Sequence, residues 1–407
     1  MTYVRSEIEQ FIEEEDVKFI RLAFVDVFGR QKNLSIMRSE LERAFDYGVA
    51  FDSTHIAGFN EEGYSELVLR PEVETIAVLP WRPDRGRVVR MFCSIERPDG
   101  TPFEADSRAI LKRAIADAKQ HDVVFSFGSE MEFYLFQRDE RGEATKIPFD
   151  TARYMDVSPL DKGENFRRQV CLTLEQMGIQ PKDSHHEEGP GQNEIDFQVF
   201  DPLSAADAMI TFRFVVNTIA ASNGLCADFS PRPLVDQPGN GMRINMTAHV
   251  GGQKSRTRQV LAGLLEHIYE STLFYNPDVE SYRRFGHDGE SSFISCSEHN
   301  RTRLARMRAS FERDERVELC SPDSTCNPYI AYALAIWSAL DGIERDLTLS
   351  PSVSCDVESA VARTGVQRIR LPKTLEEART AAGASKFVAS RLPHRVIQCF
   401  LDPGERR

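Results

Sequence analysis

The sequence predicts an α+β protein with a small β-grasp-like domain at residues 1–100 and a larger α/β domain at residues 101–407. The length of 407 residues exceeds the usual size of a single domain. The order strand, strand, helix, strands in the first hundred residues favours a β-grasp, and longer helices and strands alternate after it. A turn sequence at 97–102, rich in Pro, Asp and Gly, marks the predicted boundary.

Periodicity and capping residues place the elements of the small domain. Residues 6–15 predict a short helix, and the alternation from Phe19 to Val27 predicts a strand that ends in a turn at 28–30. Ser39, followed by acidic residues, is typical of a helix start, and this helix is expected to run through Phe45. Further strands are expected at 65–69, 75–78 and 88–95.

The larger domain has longer predicted elements. Helices are expected at 106–119, 164–176 and 205–222, and strands at 126–136, 194–199, 227–231 and 242–249. The segment 184–193, rich in His, Glu and Gly, is predicted to be a loop. The apolar segment 329–340 is too short to span a membrane and predicts a buried core helix.

Composition argues against several classes of function. The net charge of −13 argues against a nucleic-acid partner, because such proteins need a basic face. The first residues have no apolar core suited to a signal peptide, and no segment has the length of a membrane span, so a cytoplasmic location without membrane contact is expected. Eight scattered cysteines without a Cys-x-x-Cys pair fit reduced thiols better than disulfides or a zinc site.

Two acidic segments suggest chemistry. Glu130 and Glu132 share one face of the strand predicted at 126–136, and adjacent carboxylates repel unless a cation joins them. The loop at 184–194 adds Glu187 and Glu194, and three or more oxygen ligands suit Mg²⁺ or Mn²⁺. For each segment alone, the alternative is a solvated strand face or a charged surface loop.

Motifs along nearly the whole chain resemble the glutamine synthetases of the bacterial type I class. They include Phe51-Asp52, GSEMEFYLF at 128–136, SHHEEGPGQNEIDF at 184–197, SYRR at 281–284 and Asn327-Pro328-Tyr329. The resemblance implies a catalytic domain built on a curved antiparallel sheet flanked by helices. It also implies a homo-oligomeric ring, a hexamer or stacked hexamers, in which one small domain meets the next catalytic domain.

The resemblance further implies an activity in nitrogen and amino-acid metabolism. ATP phosphorylates the side-chain carboxylate of glutamate, ammonia displaces phosphate, and two divalent cations, Mg²⁺ or Mn²⁺, assist. By position, the first metal site matches Glu132, Glu187 and Glu194, and two ligands of the second match Glu130 and Glu318.

The resemblance also assigns substrate residues. Arg284 matches the arginine that holds the α-carboxylate, with Gly239 at the substrate, and Glu290 matches the glutamate that closes the site. Asp52 matches the aspartate that binds ammonium across the subunit boundary, and Tyr154 a tyrosine near it. Two arginines, Arg301 and Arg306, resemble phosphate-binding residues.

Several positions depart from the family pattern. Arg243 replaces the histidine expected as third ligand of the second metal, and a guanidinium cannot donate to a metal. A dication about 4 Å away would meet roughly 8 kcal/mol of repulsion at an effective dielectric constant of about 20. We expect Arg243 to pair with Glu130 and Glu318 instead, and the second metal to be absent. Cys320 replaces an arginine, Pro238 an asparagine, and the segments 52–55 and 287–292 also differ.

Two functional hypotheses follow. One is an ATP-dependent carboxylate–amine ligase that joins glutamate or a related acid to ammonia or an amine through an acyl phosphate. The other is a catalytically impaired ring with a ligand-binding, regulatory or structural role. Cys320 is interpreted as an inert buried thiol, and His185 and His186 as structural residues near the nucleotide. Some of the arginines at 301, 303, 306 and 308 are expected to form surface pairs with Glu312 and Asp314.

The chain ends soon after Phe400 in a polar run, shorter than the arm that helps two family rings stack. Weakened or altered stacking of the ring is therefore expected.

Overall fold

The computed structural model describes residues 5–60, 65–82, 85–251, 256–287, 290–298, 300, 303–309, 315–349, 369–402 and 404. Their strands form two sheets, one from residues 17–96 and the other from residues 123–319. A small β-grasp-type sheet followed by a larger, mainly antiparallel curved sheet with flanking helices confirms the predicted α+β class.

The small sheet has six strands in the order β2-β1-β6-β4-β3, with β5 also paired to β6. The strands are β1 (Val17–Val25), β2 (Gln31–Met37), β3 (Val49–Asp52), β4 (Glu66–Pro71), β5 (Ala77–Val78) and β6 (Arg87–Glu96). Strands β1 and β6 are parallel, and the other pairs are antiparallel. Two helices accompany this sheet, α1 (Arg5–Glu14) and α2 (Leu41–Tyr47), and α1 buries Ile8 and Ile12.

The large sheet has nine strands in the order β13-β14-β15-β12-β7-β10-β9, and β8 and β11 also pair with β7. The bounds are β7 (Val123–Arg138), β8 (Ala144–Pro148), β9 (Pro181–His186), β10 (Gln192–Phe197), β11 (Leu225–Asp228), β12 (Met242–Val250), β13 (Cys296–Ser297), β14 (Ala305–Ala309) and β15 (Glu315–Leu319). At 16 residues, β7 is long enough to pair with four other strands, so it is the strand on which the site is built.

Helices cover the large sheet. They are α3 (Ser107–Gln120), α4 (Glu164–Gln176), α5 (Pro202–Ser222), α6 (Thr257–Tyr275), α7 (Pro328–Glu344), α8 (Leu375–Ala384), α9 (Lys386–Arg391) and α10 (His394–Leu401). Helix α7 is apolar on all sides and is buried, as a core helix should be. Among the described helices, α5 alone is long and apolar enough to cross a membrane, but 61% of its apolar window is buried inside the protein.

Helix α7 makes close contacts at both of its ends. Near its C-terminus, α7 packs against α6 at Gly342 and Gly263. There is no room for a side chain at this contact, because a Cβ on Gly263 would lie 2.0 Å from the carbonyl oxygen of Ser338. At its N-terminus, Asn327 caps the helix through its side-chain oxygen, and Asn327 Nδ2 donates to the carbonyl of Val27 at 3.0 Å and to Ser107 Oγ at 2.8 Å. The helix is thereby fixed to the small sheet as well as to the large one.

The sequence-based predictions and the structure differ in a few places. Residues 184–186, predicted to be loop, form the end of β9 and pair with β10. The residues predicted as a strand at 75–78 form the end of a short 3₁₀ turn and the two-residue strand β5. The prediction missed β2, β8 and the strands after 290, because their short, polar or charged sequences carry little apolar alternation.

His267 on α6 contacts a carboxylate on α7 and a second carboxylate on its own helix. Its Nε2 lies 2.8 Å from Asp341 Oδ2 on α7, its Nδ1 lies 3.0 Å from Glu270 Oε1, and its ring stacks on Phe387. Burial opposes the charged form, but the hydrogen bonds to Glu270 and Asp341 outweigh burial and raise the pKa of His267.

We expect the contribution of His267 to stability to fall as pH rises. A pKa raised on folding stabilises the protein below the unfolded value of about 6.5, and this stabilisation is lost as pH rises through the folded pKa. The difference in free energy of unfolding between wild type and His267→Gln should therefore be largest at about pH 6 and shrink towards about pH 9 in urea titrations. The exposed His394→Gln variant serves as control, and an equally steep pH dependence there would contradict the assignment.

Candidate active site

Four neighbouring strands bring charged side chains to one face of the large sheet. Strand register places Glu194 on β10 opposite Glu132 on β7, and His185 on β9 opposite Glu194. The next row across β9, β10, β7 and β12 consists of Asp183, Asp196, Glu130 and Arg243. Because the Cβ atoms of opposed residues lie about 4.5–5.5 Å apart, these two rows form one continuous charged cluster.

Arg243 is the central cation of this cluster. Its Nη1 donates to Glu130 Oε2 and to Glu194 Oε2, both at 3.1 Å, and its Nη2 donates to Glu132 Oε1 at 3.2 Å. Arg243 thus contacts residues from both of the metal sites that the family resemblance implied. Asn245 is a second hydrogen-bond donor to Glu130, since its Nδ2 donates to Glu130 Oε1 at 2.9 Å.

The expected pairing of Arg243 with Glu318 is wrong. Glu318 is fully buried on β15 and forms ion pairs with Arg306 and Arg308 of the neighbouring strand β14, the latter at 3.6 Å. The reason is register, because Arg306 lies directly opposite Glu318, whereas Arg243 lies opposite Glu130. Arg308 therefore faces the acidic cluster. Its suggested partners Glu312 and Asp314, like Arg301, lie outside the described residues.

One part of the cluster fits a divalent cation. His185, Glu187 and Glu194 offer ligand atoms that lie within 4.8 Å of one another, and carboxylate and imidazole groups suit such ions. Burial, helped by the charge of Glu132, raises the pKa of Glu187 to about 7, and burial raises the pKa of Glu194 well above its usual range. The local excess of negative charge is what a bound cation would neutralise.

The Glu130 and Glu318 pair does not fit a second cation. Arg243 and Asn245 outweigh the effect of burial and lower the pKa of Glu130, so this carboxylate already has its counter-charge. Glu318 has two arginines around it. A dication placed between these carboxylates would displace or face three guanidinium groups, which stay protonated.

Arg284 lies beneath the cluster and is 1% exposed. Its Nη1 donates to Asn276 Oδ1 at 3.3 Å, its Nη2 lies 3.4 Å from Glu290 Oε1, and its Nε makes no hydrogen bond. Gly239 makes room for it, because a Cβ there would lie 2.6 Å from Arg284 Cγ. The guanidinium therefore has spare donor capacity for a carboxylate ligand.

Gly241 marks the point where these groups converge. A Cβ on Gly241 would lie 3.5 Å from Arg284 Nη2 and 3.7 Å from carboxylate oxygens of both Glu132 and Glu290. The backbone N of Gly241 donates to Glu132 Oε2 at 2.8 Å. Because residue 241 has no side chain, the carboxylates of Glu132 and Glu290 and the guanidinium of Arg284 all border the same small space.

His186 holds the loop that carries Glu187. Its Nδ1 lies 2.6 Å from the carbonyl oxygen of Glu187, and its Nε2 lies 2.9 Å from Asp150 Oδ1. Both neighbours are acceptors, so this geometry favours the form of the ring with protons on both nitrogens. Burial opposes this charge, but the bond to Asp150 and the Glu187 carbonyl raise the pKa of His186. This geometry agrees with a structural role for His186, whereas His185 faces the acidic cluster itself.

A cavity of about 450 Å³ opens over the cluster. Its lining includes ten residues named in the sequence analysis, namely Glu130, His185, Glu187, Glu194, Arg243, Glu290, Arg306, Arg308, Tyr154 and Cys320. Cys320 is buried, and burial raises the pKa of its thiol, as expected of an inert group. Asp52 is not brought to this cavity within one chain. It ends β3 in the small sheet, where its Oδ1 accepts from Thr54 Oγ1 at 2.6 Å.

Sequence reasoning did not single out Lys182, Asp183 or Asp196 of the cavity, and it named Arg308 without assigning it to the acidic cluster. Asp196 lies next to Glu130 across the strand pair, and burial together with the charges of Glu130 and Asp183 raises its pKa to about 8. The spacing of Glu194 and Asp196, two residues apart on one strand, could have identified it by the argument used for β7. Arg308 could have been recognised only from the pairing of β14 with β15.

The chain combines a small β-grasp-type sheet with a larger sheet that carries a cluster of carboxylates, and these two features together define its class. Family models agree with this class over both parts of the chain: the glutamine synthetase β-grasp domain matches residues 16–98, and the glutamine synthetase catalytic domain matches residues 104–405. The chain belongs to the glutamine synthetase family of ligases.

Individual relatives support the assignment. A glutamine synthetase of Clostridium saccharobutylicum is 40% identical over 393 residues, which cover 92% of this chain and 88% of the relative. A glutamine synthetase of Methanosarcina mazei is 37% identical over an alignment that covers 98% of this chain and 92% of the relative. Among solved structures, a GmaS/ADP complex superimposes with a TM-score of 0.86 at 25% identity, covering 98% of this chain and 94% of that one. Family members use ATP and divalent cations and typically form rings.

Proposed function

We propose that the chain is an ATP-dependent carboxylate–amine ligase with a single divalent cation, in which Arg243 supplies the positive charge of the second. The acid substrate is glutamate or a related amino acid, and the nitrogen substrate is ammonia or an amine. The observation that carries this proposal is the contact of Arg243 with Glu130, Glu132 and Glu194, all within 3.2 Å. A guanidinium in that position keeps a positive charge where family members rely on a metal.

The cation, Mg²⁺ or Mn²⁺, would be held by Glu187 and Glu194, with Glu132 and His185 beside them. When bound, it would neutralise phosphate charge during phosphoryl transfer. Carboxylate ligands with raised pKa values give up their protons when they bind a metal, so cation binding should strengthen as pH rises.

Arg284 and Glu290 support the binding of an amino acid. The buried Arg284 guanidinium has an unused Nε–H, which suits a carboxylate held in two contacts. Glu290 stands 3.4 Å from Arg284 Nη2 and also lines the cavity, so it faces both the bound acid and the incoming nitrogen. In the proposed reaction, the acid's side-chain carboxylate attacks the γ-phosphorus of ATP and releases ADP, and the amine then displaces phosphate.

Nucleotide binding is supported by cations and by a relative. Three arginines that can meet phosphate oxygens line the cavity, namely Arg306, Arg308 and Arg316. The structurally similar GmaS was solved as an ADP complex. The proposed roles of Asp52 and Tyr154 follow the family resemblance, Asp52 acting at the neighbouring subunit's site.

An assay of ATP-dependent phosphate release tests the proposal. Glutamate and related amino acids are each combined with ammonia and a panel of primary amines, with Mn²⁺ or Mg²⁺ present. Release that requires both an acid and an amine supports the ligase. The control is Arg284→Gln, which should raise the KM for the acid while leaving ATP binding unchanged. No release with any pair, together with tight ATP binding, would contradict it.

The competing function is a ring that binds nucleotide or amino acid without turnover. The contacts of Arg243 with Glu132 and Glu194 favour it, because these carboxylates also belong to the implied first metal site. The two functions make different predictions for metal binding.

We expect one Mn²⁺ per chain, measured by paramagnetic resonance of free Mn²⁺ on the metal-free protein. Glu187→Gln should weaken this binding at least about tenfold, the lower range seen when metal-site groups are altered, because it removes one charged ligand. The matched control Glu188→Gln, at the next position of the same loop, should have a smaller effect. Two ions per chain would contradict the single-cation site, and no ion at all would favour the ring without turnover.

We expect the assembly to be a hexameric ring, in which each small domain completes the site of the next subunit. This expectation rests on the family resemblance and on the position of Asp52, which lies away from the cavity of its own chain. Helix α10 buries Val396, Ile397, Cys399 and Phe400 within its own subunit, and weakened stacking of rings stays an expectation from the sequence. Light scattering at micromolar concentration measures the assembly, and a monomer would refute the ring.

A further inference from the structure

A second cavity, of about 320 Å³, lies between the two sheets and apart from the acidic cluster. It is bounded by strand β6, by the segment at 72–77 that precedes it, and by helix α5. Much of its wall is apolar, formed by Ile76, Ala77, Phe92, Met177, Leu203 and Ala208. A cavity of this kind accepts a small molecule with an apolar body.

Arg90 on β6 is the cation of this cavity and is 6% exposed. Its Nη1 donates to Thr211 Oγ1 on α5 at 2.8 Å, and its guanidinium lies 4.0 Å above the Phe92 ring. Its Nε is buried and has no hydrogen-bond partner among the residues that the structure describes. Burial lowers the pKa of Arg90 to about 10, so the group keeps its charge at neutral pH.

The other charged side chains around the cavity pair with one another. Arg108 holds Asp207 in two contacts, at 2.9 and 2.7 Å, and also pairs with Glu72 at 2.5 Å. Lys112 is the second cation beside Glu72. Asp106 is a third buried carboxylate beside Arg108 and Lys112. Among the described residues, Arg90 forms no ion pair of its own, and its hydrogen-bond partner is the neutral hydroxyl of Thr211. The remaining acidic residues of the lining, Glu74 and Asp201, lie on the exposed rim in water.

We propose that this cavity is a binding site for a small monocarboxylate with an apolar chain, held through its carboxylate by Arg90. The buried Arg90 guanidinium, which has no ion pair among the described residues, suits an anion, and its planar shape matches a carboxylate. The apolar wall selects a ligand with a hydrocarbon body rather than a second charged group, since a second charge would be desolvated without a partner. This site is independent of the proposed ligase reaction.

Calorimetric titration of the assembled protein with straight-chain monocarboxylates, from acetate to octanoate, tests the site. The matched primary amides have nearly the same shape without the charge. We expect the acids to bind at least about tenfold more tightly than their amides, the difference that one charge-assisted hydrogen bond provides. Binding should persist in Arg284→Gln, which removes the carboxylate-binding arginine of the active site.

Arg90→Gln should weaken acid binding at least about tenfold and leave amide binding unchanged. Arg87→Gln is the matched control, since Arg87 lies on the same strand but pairs with Glu15 outside the cavity. Ala208→Leu keeps Arg90 and fills the cavity, so it should weaken octanoate binding more than acetate binding. Absence of acid binding, equal binding of acids and amides, or unchanged binding in both Arg90→Gln and Ala208→Leu would overturn the proposal.

Discussion

Replacing Arg243 by methionine is expected to destabilise the metal-free protein by about 3–5 kcal/mol, the usual cost of leaving buried charges without their partner. Arg243 is the shared cation of Glu130, Glu132 and Glu194, each no more than 6% exposed. Methionine has a similar length and an apolar side chain, so the loss in free energy of unfolding measures the effect of removing the positive charge. Urea unfolding in the presence of a chelator measures it.

The surface variant Arg43→Met is the control, because Arg43 pairs with Glu40 in solvent and exposed pairs contribute only about 0–1 kcal/mol. Added Mn²⁺ should restore much of the stability of Arg243→Met, since an ion that binds only the folded state stabilises it. A loss no greater than that of Arg43→Met would show that the carboxylates are protonated rather than paired. Such a result would remove the basis for Arg243 as a substitute cation.

Glutamine synthesis from glutamate, ammonia and ATP is expected to be slower than in an ordinary family member by a factor of about 10² to 10³ or more. Phosphoryl transfer depends on cations placed around the developing charge, and the loss of one such contact typically costs about that factor. By the family resemblance, Arg243 stands at the position of a histidine ligand of the second metal, and Cys320 stands at the position of an arginine. Glutamine formation is measured by chromatography under saturating substrates.

Two variants are compared for their rate of glutamine formation. The single variant carries Arg243→His, and the double variant carries Arg243→His together with Cys320→Arg. Restoring both residues should raise the rate more than restoring the histidine alone, because the double variant also regains a cationic contact to substrate or phosphate at position 320. Rapid glutamine production by the wild type would show that Arg243 replaces the ion without loss. In that case the departures from the family pattern do not impair the reaction.

Part of the site could be read from the sequence, and the reason is periodicity. Alternation along β7 correctly places Glu130 and Glu132 on one face, because side-chain direction in a strand depends only on local geometry. The expected pairing of Arg243 with Glu130 is confirmed, but its contacts with Glu132 and Glu194 could not be predicted from periodicity. They depend on which residue lies opposite on the next strand, and register is set by contacts far apart in sequence.

Composition also misled in one segment. The polar residues at 184–186 predicted loop, but main-chain pairing with β10 makes them strand, and this pairing is what brings His185 beside Glu194. Tertiary pairing overrides a weak local preference here. The domain boundary near residue 100 and the catalytic roles of the site residues stay predictions that the experiments above address.

Asn327 gives the chain a mechanical connection between its two sheets. Its amide is bonded to Val27 on one side, and the helix that it caps carries Tyr332, whose hydroxyl lies 2.5 Å from Ser129 Oγ, the residue before Glu130. A displacement of the small sheet would therefore pull on the strand that carries the acidic cluster. In the proposed ring, contacts made by the small domain with a neighbouring subunit would be linked to the position of Glu130 through α7 of the same chain. Assembly and the alignment of Glu130 would therefore change together.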